Sequence, residues 1–401
     1  MKMKRRLFVA IALLVTIFFI ENSFSQAKEV RGVSDKSIKI GLMMDQTGPA
    51  ASILVPLTQA VRTYARYVNE HGGIHGRELK ILVEDDRYSI PPAIAGFKKL
   101  VYKDKIFAFI GPGSASLLYT LWKKMEDERL PSIAAASTEL AVKPHKKYLF
   151  IFTDTYEGQM RVLIDYMVKD CKIIDPKVGL VYPDTEAGKT DLRAALPRLQ
   201  KYGIQPVTKE ILMAGSLDAS SQVMSLKRYG VNCVLSIGTI SQTAVTLLRE
   251  LKKFGLKIPV FFSYGAMLGE ELNHIGDTAS QAYIVHAISP WYGDGSGVAK
   301  MREITLKYFP GTEKPYRGTA YTGGWGVISV LAEGIRRAGR NLDEEALIEA
   351  LESFKDYDTG GLVAPITFSS KNHRAANVSR IYKVDLDAGK FVALTDWRKS
   401  E

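Results

Sequence analysis

The stretch Ile106–Met125 restricts the fold of this chain more than any other. Ile106–Ile110 is an unbroken apolar run between turn residues, the pattern of a strand buried on both faces in a parallel sheet. Gly111, Pro112, Gly113 and Ser114 follow, and then Leu117, Leu118, Leu121 and Trp122 at helical spacing. A strand, a glycine turn and a helix in that order leave free backbone amides and the positive end of the helix dipole around Ser114 and Ser116. An anion such as a carboxylate is attracted there. The same serines also serve as plain helix caps.

The rest of the chain repeats the alternation. Ile38–Met43, Leu79–Val83, Leu130–Ala136 and Tyr148–Phe152 read as strands. Between the first two, Leu57, Ala60, Val61, Tyr64, Ala65 and Val68 mark one helix face, which stops at Gly72-Gly73; a second helix runs from about Pro91. A βαβαβαβ order calls for a parallel sheet covered by helices, with binding beyond the carboxyl ends of the strands. The alternation restarts after Thr153, with strands expected at Val178–Tyr182, Pro206–Leu212, Val231–Ile237, Pro259–Tyr264 and Ala282–Ile288. Pro197 is expected to kink or shorten the helix at Asp191–Lys201. Helices at Gly297–Tyr308, Thr319–Ala338 and Leu342–Phe354 follow, the last with Asn341 and Glu344 as a capping pair, and strand-like runs occupy Val378–Val384 and Phe391–Thr395. The expected fold class is α/β, with two lobes, each a mostly parallel sheet flanked by helices, around a cleft.

A chain of 401 residues is too long for one core. Lys2, Lys4, Arg5 and Arg6 precede the uncharged run Leu7–Ile20, and Ser25-Gln26-Ala27 offers a cleavage site. Residues 1–27 are therefore expected to be a secretory signal peptide, the run being too short for a comfortable membrane span. The formal charge of +11 stays positive without them, which suits an anionic ligand or membrane surface. No Lys/Arg block with interleaved aromatics points to nucleic acid. Cys171 and Cys233 are expected to be buried free thiols.

The ordered set Ile38–Pro49 (IKIGLMMDQTGP), Asn69–Arg77 (NEHGGIHGR), Glu84-Asp85-Asp86, Ile110–Ser114, Leu130–Ile133 and Ala136-Ser137-Thr138 resembles the periplasmic substrate-binding proteins of branched-chain amino-acid type ABC transporters. The resemblance covers essentially the whole mature chain. It implies a type I periplasmic binding fold, leucine-binding-protein-like, with three hinge crossovers, placed here near Thr153, Ala287 and Pro365–Phe368. The lobes would be residues 28–153 with 288–364 and residues 154–287 with 365–401. The implied role is a non-catalytic periplasmic receptor, acting as a monomer without cofactor, that closes on a small molecule and presents it to the membrane permease of an ABC transporter. A ligand-sensing protein of the same fold that docks on a signalling partner is the alternative.

In amino-acid-binding members a serine at a helix start and a threonine after the fourth strand hold the ligand carboxylate, and an acid on the second lobe holds the ammonium. Thr138 matches the threonine and Ala136 the backbone position beside it. A gapless count puts Ala115, between Ser114 and Ser116, at the serine. The acid position falls on Tyr264, and the aromatic positions fall on Ile53, Ala187 and Thr239. Tyr156 and Glu186 follow strands that face the cleft and are further candidate contacts. A buried ammonium without a carboxylate partner costs several kcal/mol, so the expected ligand is a small carboxylate without an α-amino group.

Other motifs lead nowhere. Val178–Thr190 imitates a nucleotide loop, but Pro183 stands where its first glycine is required. Gly72-Gly73 between His71 and His75 breaks any helix that would align them as metal ligands. There is no G-x-S-x-G nucleophile elbow.

Overall fold

The computed structural model describes residues 29–266, 276–310, 317–387 and 390–400, with the backbone alone at Glu186 and Ala187. The expected signal peptide lies outside the described residues.

Two parallel sheets carry the fold. The first is built from β1 (Ser37–Met44), β2 (Glu78–Asp85), β3 (Ala108–Ile110), β4 (Ser132–Ala134) and β5 (Leu149–Ile151) in the order β2-β1-β3-β4-β5. The second begins with β6 (Val178–Tyr182), β7 (Thr208–Ile211), β8 (Cys233–Ser236), β9 (Val260–Phe262) and β10 (Ala282–His286), in the order β7-β6-β8-β9-β10. The two orders are the same arrangement used twice. Beyond β10 the second sheet gains β11 (Val378–Asp385) and β12 (Lys390–Ala393), both antiparallel.

Helices alternate with the strands because parallel neighbours need long crossovers. Around the first sheet run α1 (Ala51–Glu70), α2 (Ile90–Lys98), α3 (Ala115–Asp127) and the short α4 (Glu139–Val142). Around the second run α5 (Tyr156–Lys169), α6 (Glu186–Lys201), α7 (Ser220–Arg228) and α8 (Ser241–Lys253). Later come α9 (Ser296–Tyr308), α10 (Thr319–Ala338) and α11 (Glu344–Glu352). The first core joins Met43, Phe97, Phe109, Leu117, Leu121 and Leu149; the second joins Leu163, Leu180, Leu199, Leu235 and Phe261.

Three expectations are corrected. Pro197 does not end α6, which continues to Lys201; Ala195 and Leu199 on the same helix are fully buried, and tertiary packing overrides local propensity. The helix α11 is capped by Asp343, whose carboxylate accepts the Ala346 amide at 2.8 Å, and not by Asn341. The third crossover lies later than Pro365–Phe368. Phe368 packs on Phe150, Ile151 exchanges hydrogen bonds with His373 and Ala375, and the chain joins the second sheet only at Val378. Cys171 and Cys233 are both free, and Cys171 is only half-buried.

The crossovers are tied together. Asp154, fully buried just after β5, accepts the Thr155 amide at 2.8 Å, the Ser379 hydroxyl at 3.1 Å and the Ser400 hydroxyl at 3.3 Å. After the second crossover Ile288 bridges to Val363 and Ser289 donates its amide to Leu362. Helix α10 then packs on α1, with Trp325 edge-on to Tyr64 at 5.1 Å and the Tyr321 hydroxyl 3.2 Å from that of Thr63. The close approach requires Gly324, where an added Cβ would lie 2.3 Å from the Leu57 carbonyl oxygen. Gly324→Val is therefore expected to destabilise the protein by about 1–3 kcal/mol through overpacking against backbone, read as a lower midpoint in urea unfolding.

Candidate functional site

One cleft collects the loops that follow all ten parallel strands. Pro49 and Ala50 come after β1, Tyr88 after β2, Gly113 after β3, Ala135 and Ser137 after β4, and Phe152 and Thr153 after β5. From the second sheet come Pro183 and Thr185 after β6, Met213 and Ala214 after β7, Gly238 and Ile240 after β8, Tyr264 and Gly265 after β9, and His286–Ile288 at the end of β10. Ile53, Leu54 and Leu57 of α1, Tyr156 and Gln159 of α5 and Ala320, Gly323 and Val327 of α10 complete the wall. The enclosed volume is about 300 Å³, at the small end of ligand sites. Among the described residues the wall holds no Lys, Arg, Asp or Glu side chain; its polar groups there are hydroxyls, the Gln159 amide and one imidazole.

The turns that shape the cleft are held from below. Asp45, fully buried, accepts the Ala50 amide at 2.8 Å and the Gly48 amide, fixing the entry to α1. Asp85 accepts the Gln46 amide at 2.9 Å and the Thr47 hydroxyl at 2.7 Å, which ties the β1 and β2 ends together. Arg87 and Tyr88 both adopt left-handed backbone, φ 49 and φ 54, unusual for bulky residues and a mark of a functional turn. The Asp86 carboxylate holds that turn by accepting the Tyr88 amide at 2.9 Å. Tyr88, which sequence reasoning missed, stands in the cleft beside Ser114.

The expected anion site is open at its helix end. Ser114 occupies the N-cap position of α3, yet its hydroxyl makes no cap hydrogen bond. Gly113 lines the cleft, whereas Ser114, Ala115 and Ser116 lie just behind it. Thr138 is fully buried; its hydroxyl accepts the Leu140 amide at 3.1 Å and lies 3.2 Å from the Tyr119 hydroxyl. The Ala136 amide donates to the Pro112 carbonyl at 3.1 Å. Ala136 and Thr138 therefore flank the lining residues Ala135 and Ser137 without joining them.

Tyr156 at the start of α5 and Tyr264 in the loop after β9 are brought together, their rings stacked at 3.5 Å and 4°. The Tyr156 amide donates to the Ser137 carbonyl at 2.7 Å, which fixes α5 against the β4 loop. Burial pushes the Tyr156 and Tyr264 hydroxyls above the usual tyrosine range, so both stay protonated and able to donate. Thr239 lies between the lining residues Gly238 and Ile240, and its hydroxyl is 2.6 Å from that of Ser236. Glu186 begins α6, and its side chain lies outside the described residues. His286, also missed, is buried at the cleft wall with Nε2 unpartnered, and desolvation brings its pKa down to about 3, so the ring is neutral.

Residues 37–390 match the sequence profile described as periplasmic binding protein. The chain belongs to the periplasmic binding protein family. It is 23% identical over 358 residues to the Leu/Ile/Val-binding protein homolog 3 of Brucella melitensis, covering 89% of this chain and 93% of that protein. Its fold is similar to a branched chain amino acid ABC transporter protein from Thermus thermophilus with bound valine, at a TM-score of 0.83 and 22% identity over 92% of this chain and 97% of that one. It is also similar to the fatty acid ABC transporter substrate-binding protein from Thermomonospora curvata, at a TM-score of 0.81 and 25% identity, covering 94% and 95%. The role of this binding protein is that of a small-solute receptor of an ABC transporter, and these relatives favour transport over the sensory alternative.

The buried carboxyl of Asp86 gives a pH test of the cleft floor. Desolvation, with Asp45 and Asp85 nearby, raises its pKa to about 6. A raised pKa contributes stability below the unfolded value that is lost as pH rises through the folded one. At about 1.4 kcal/mol per pH unit the Asp86 contribution to wild-type stability is expected to fall by about 2 kcal/mol between pH 4 and pH 6.5. Asp86→Asn, which can still accept the Tyr88 amide, is expected to lack that loss in urea melts across the same range.

Proposed function

We propose that this binding protein captures one small apolar carboxylate, aromatic or short aliphatic, and not an α-amino acid. Its lobes, residues 28–153 with 288–375 and residues 154–287 with 376–401, swing on the three crossovers and close over the solute. The observation that carries the reading is the pairing of an apolar, uncharged wall with the uncapped start of α3. Helix-start amides around Ser114, Ala115 and Ser116 hold a carboxylate without a basic side chain. The hydroxyls of Tyr88 and Tyr264 add donors, and Ile53, Leu54, Leu57, Phe152, Ile288 and Val327 take the apolar body.

Among the described side chains the wall offers no carboxylate to receive an ammonium group, which argues against a zwitterion. The similar protein from Thermomonospora curvata serves fatty acids, which are carboxylates without an amino group. The protein works in the periplasm after loss of residues 1–27, as a monomer, without catalysis, and delivers its solute to a membrane permease.

Calorimetric titration of the mature protein with benzoate, phenylacetate and octanoate, beside leucine and valine, tests this. At least one plain carboxylate is expected to bind and, at a hundred times its Kd, to add about 2.7 kcal/mol of stability. Tight binding of leucine or valine with no response to the plain acids would overturn the reading.

A further inference from the structure

Asp191 lies behind the part of the cleft wall made by Pro183, Gly238 and Tyr264. It sits past the first turn of α6 and is 1% exposed. Neither carboxyl oxygen has a hydrogen bond of ordinary geometry. A Cβ on Gly238 would stand 3.5 Å from its Oδ2, so only glycine backbone separates the carboxyl from the cleft on that side.

The groups that face Asp191 are acids and phenols. Tyr264, from the loop after β9, and Glu157 of α5 are the ionisable neighbours that act on the carboxyl, the Tyr264 hydroxyl lying near it without a hydrogen bond of ordinary geometry. Tyr88 faces it from the first sheet, with Asp86 and Asp45 behind the phenol, and Tyr156 is stacked on Tyr264. Ionised, Asp191 would be a buried charge beside a second buried acid, with one phenol as the donor near it among the described residues, an arrangement that proteins avoid by keeping the group neutral. Burial also drives its pKa well above the ordinary carboxylate range. A neutral carboxyl has one O–H to donate, and the Tyr264 oxygen is the acceptor beside it.

We propose that Asp191 is a neutral positioning residue for Tyr264: its carboxyl O–H donates to the Tyr264 phenol oxygen, which leaves the Tyr264 O–H to donate to a carboxylate held in the cleft. The inference rests on the carboxylate reading given above. The pair makes the wall a donor, selecting an anionic end over an amine. It also links capture to protons. Once pH is high enough to ionise Asp191, a bound anion faces a second negative charge and its affinity falls, by up to tenfold per pH unit.

Two measurements decide it. The first needs no ligand: the infrared difference between wild type and Asp191→Asn at pH 7 is expected to show a protonated-carboxyl stretch belonging to Asp191. Its absence overturns the inference while leaving the carboxylate reading untouched. The second follows benzoate and octanoate affinity from pH 6 upward, across the range in which that carboxyl stretch disappears. Wild type is expected to weaken with rising pH, and Asp191→Asn, neutral and still a donor, to stay flat and within about twofold of wild type at pH 6. Tyr264→Phe is expected to bind about tenfold more weakly. An Asn variant with lower thermal stability but the wild-type pH slope would mean that Asp191 is merely structural. If neither acid binds, the carboxylate reading fails, and the infrared band still decides the state of Asp191.

Discussion

Parallel strands cannot be joined by tight turns, and the right-handed crossovers they require bring every strand-following loop to one edge of its sheet. The organisation of this molecule follows from that constraint applied twice. Each half sets five strands in the same order, so each presents five loops at its carboxyl edge. The two edges share one cleft, to which every one of those loops contributes. No single loop has to build a site, and short turns such as Gly111–Ser114 and Gly238–Ile240 are enough.

Among the described residues, charge is kept off the cleft surface and placed behind it. Asp45 and Asp85 fix turns by accepting backbone amides, Asp86 does the same for Tyr88, and Asp191 stands behind glycine. The solute meets phenols, small hydroxyls, one neutral imidazole and hydrocarbon. Such a surface takes its affinity from buried apolar area and its orientation from a few fixed donors. The parallel contact of Tyr156 with Tyr264 joins the end of the first crossover to the loop after β9, so the phenol that can donate is held in place by a ring that cannot move independently.

Much of the fold was legible because buried parallel strands and amphipathic helices have distinct periods. Ile106–Ile110 with its glycine turn marked β3 and the start of α3, and the renewed alternation after Thr153 marked the second sheet. The site was legible where it sits directly after a strand, as Tyr264 does, or at a helix start, as Tyr156 does. Other residues escaped for definite reasons. Tyr88 enters the cleft through two left-handed residues that the run Glu84-Asp85-Asp86 does not announce. Asp191 lies inside a helix, where local pattern assigns a solvated polar face. His286 closes an apolar strand and looks like core. The third crossover lies later than its sequence suggests because Phe368 to Ala375 runs beside β5 through an isolated bridge and ring contacts, which leave no strand pattern in the sequence.

The hydrogen bonds gathered by Asp154 have a consequence for motion. Its carboxylate joins the exit of the first sheet to two separate stretches of the final segment, Ser379 and Ser400, within a dry interior. Three strings knotted at one bead cannot slide past one another, though they can turn about it. Sliding the exit of β5 past the final segment would therefore strand a buried acid.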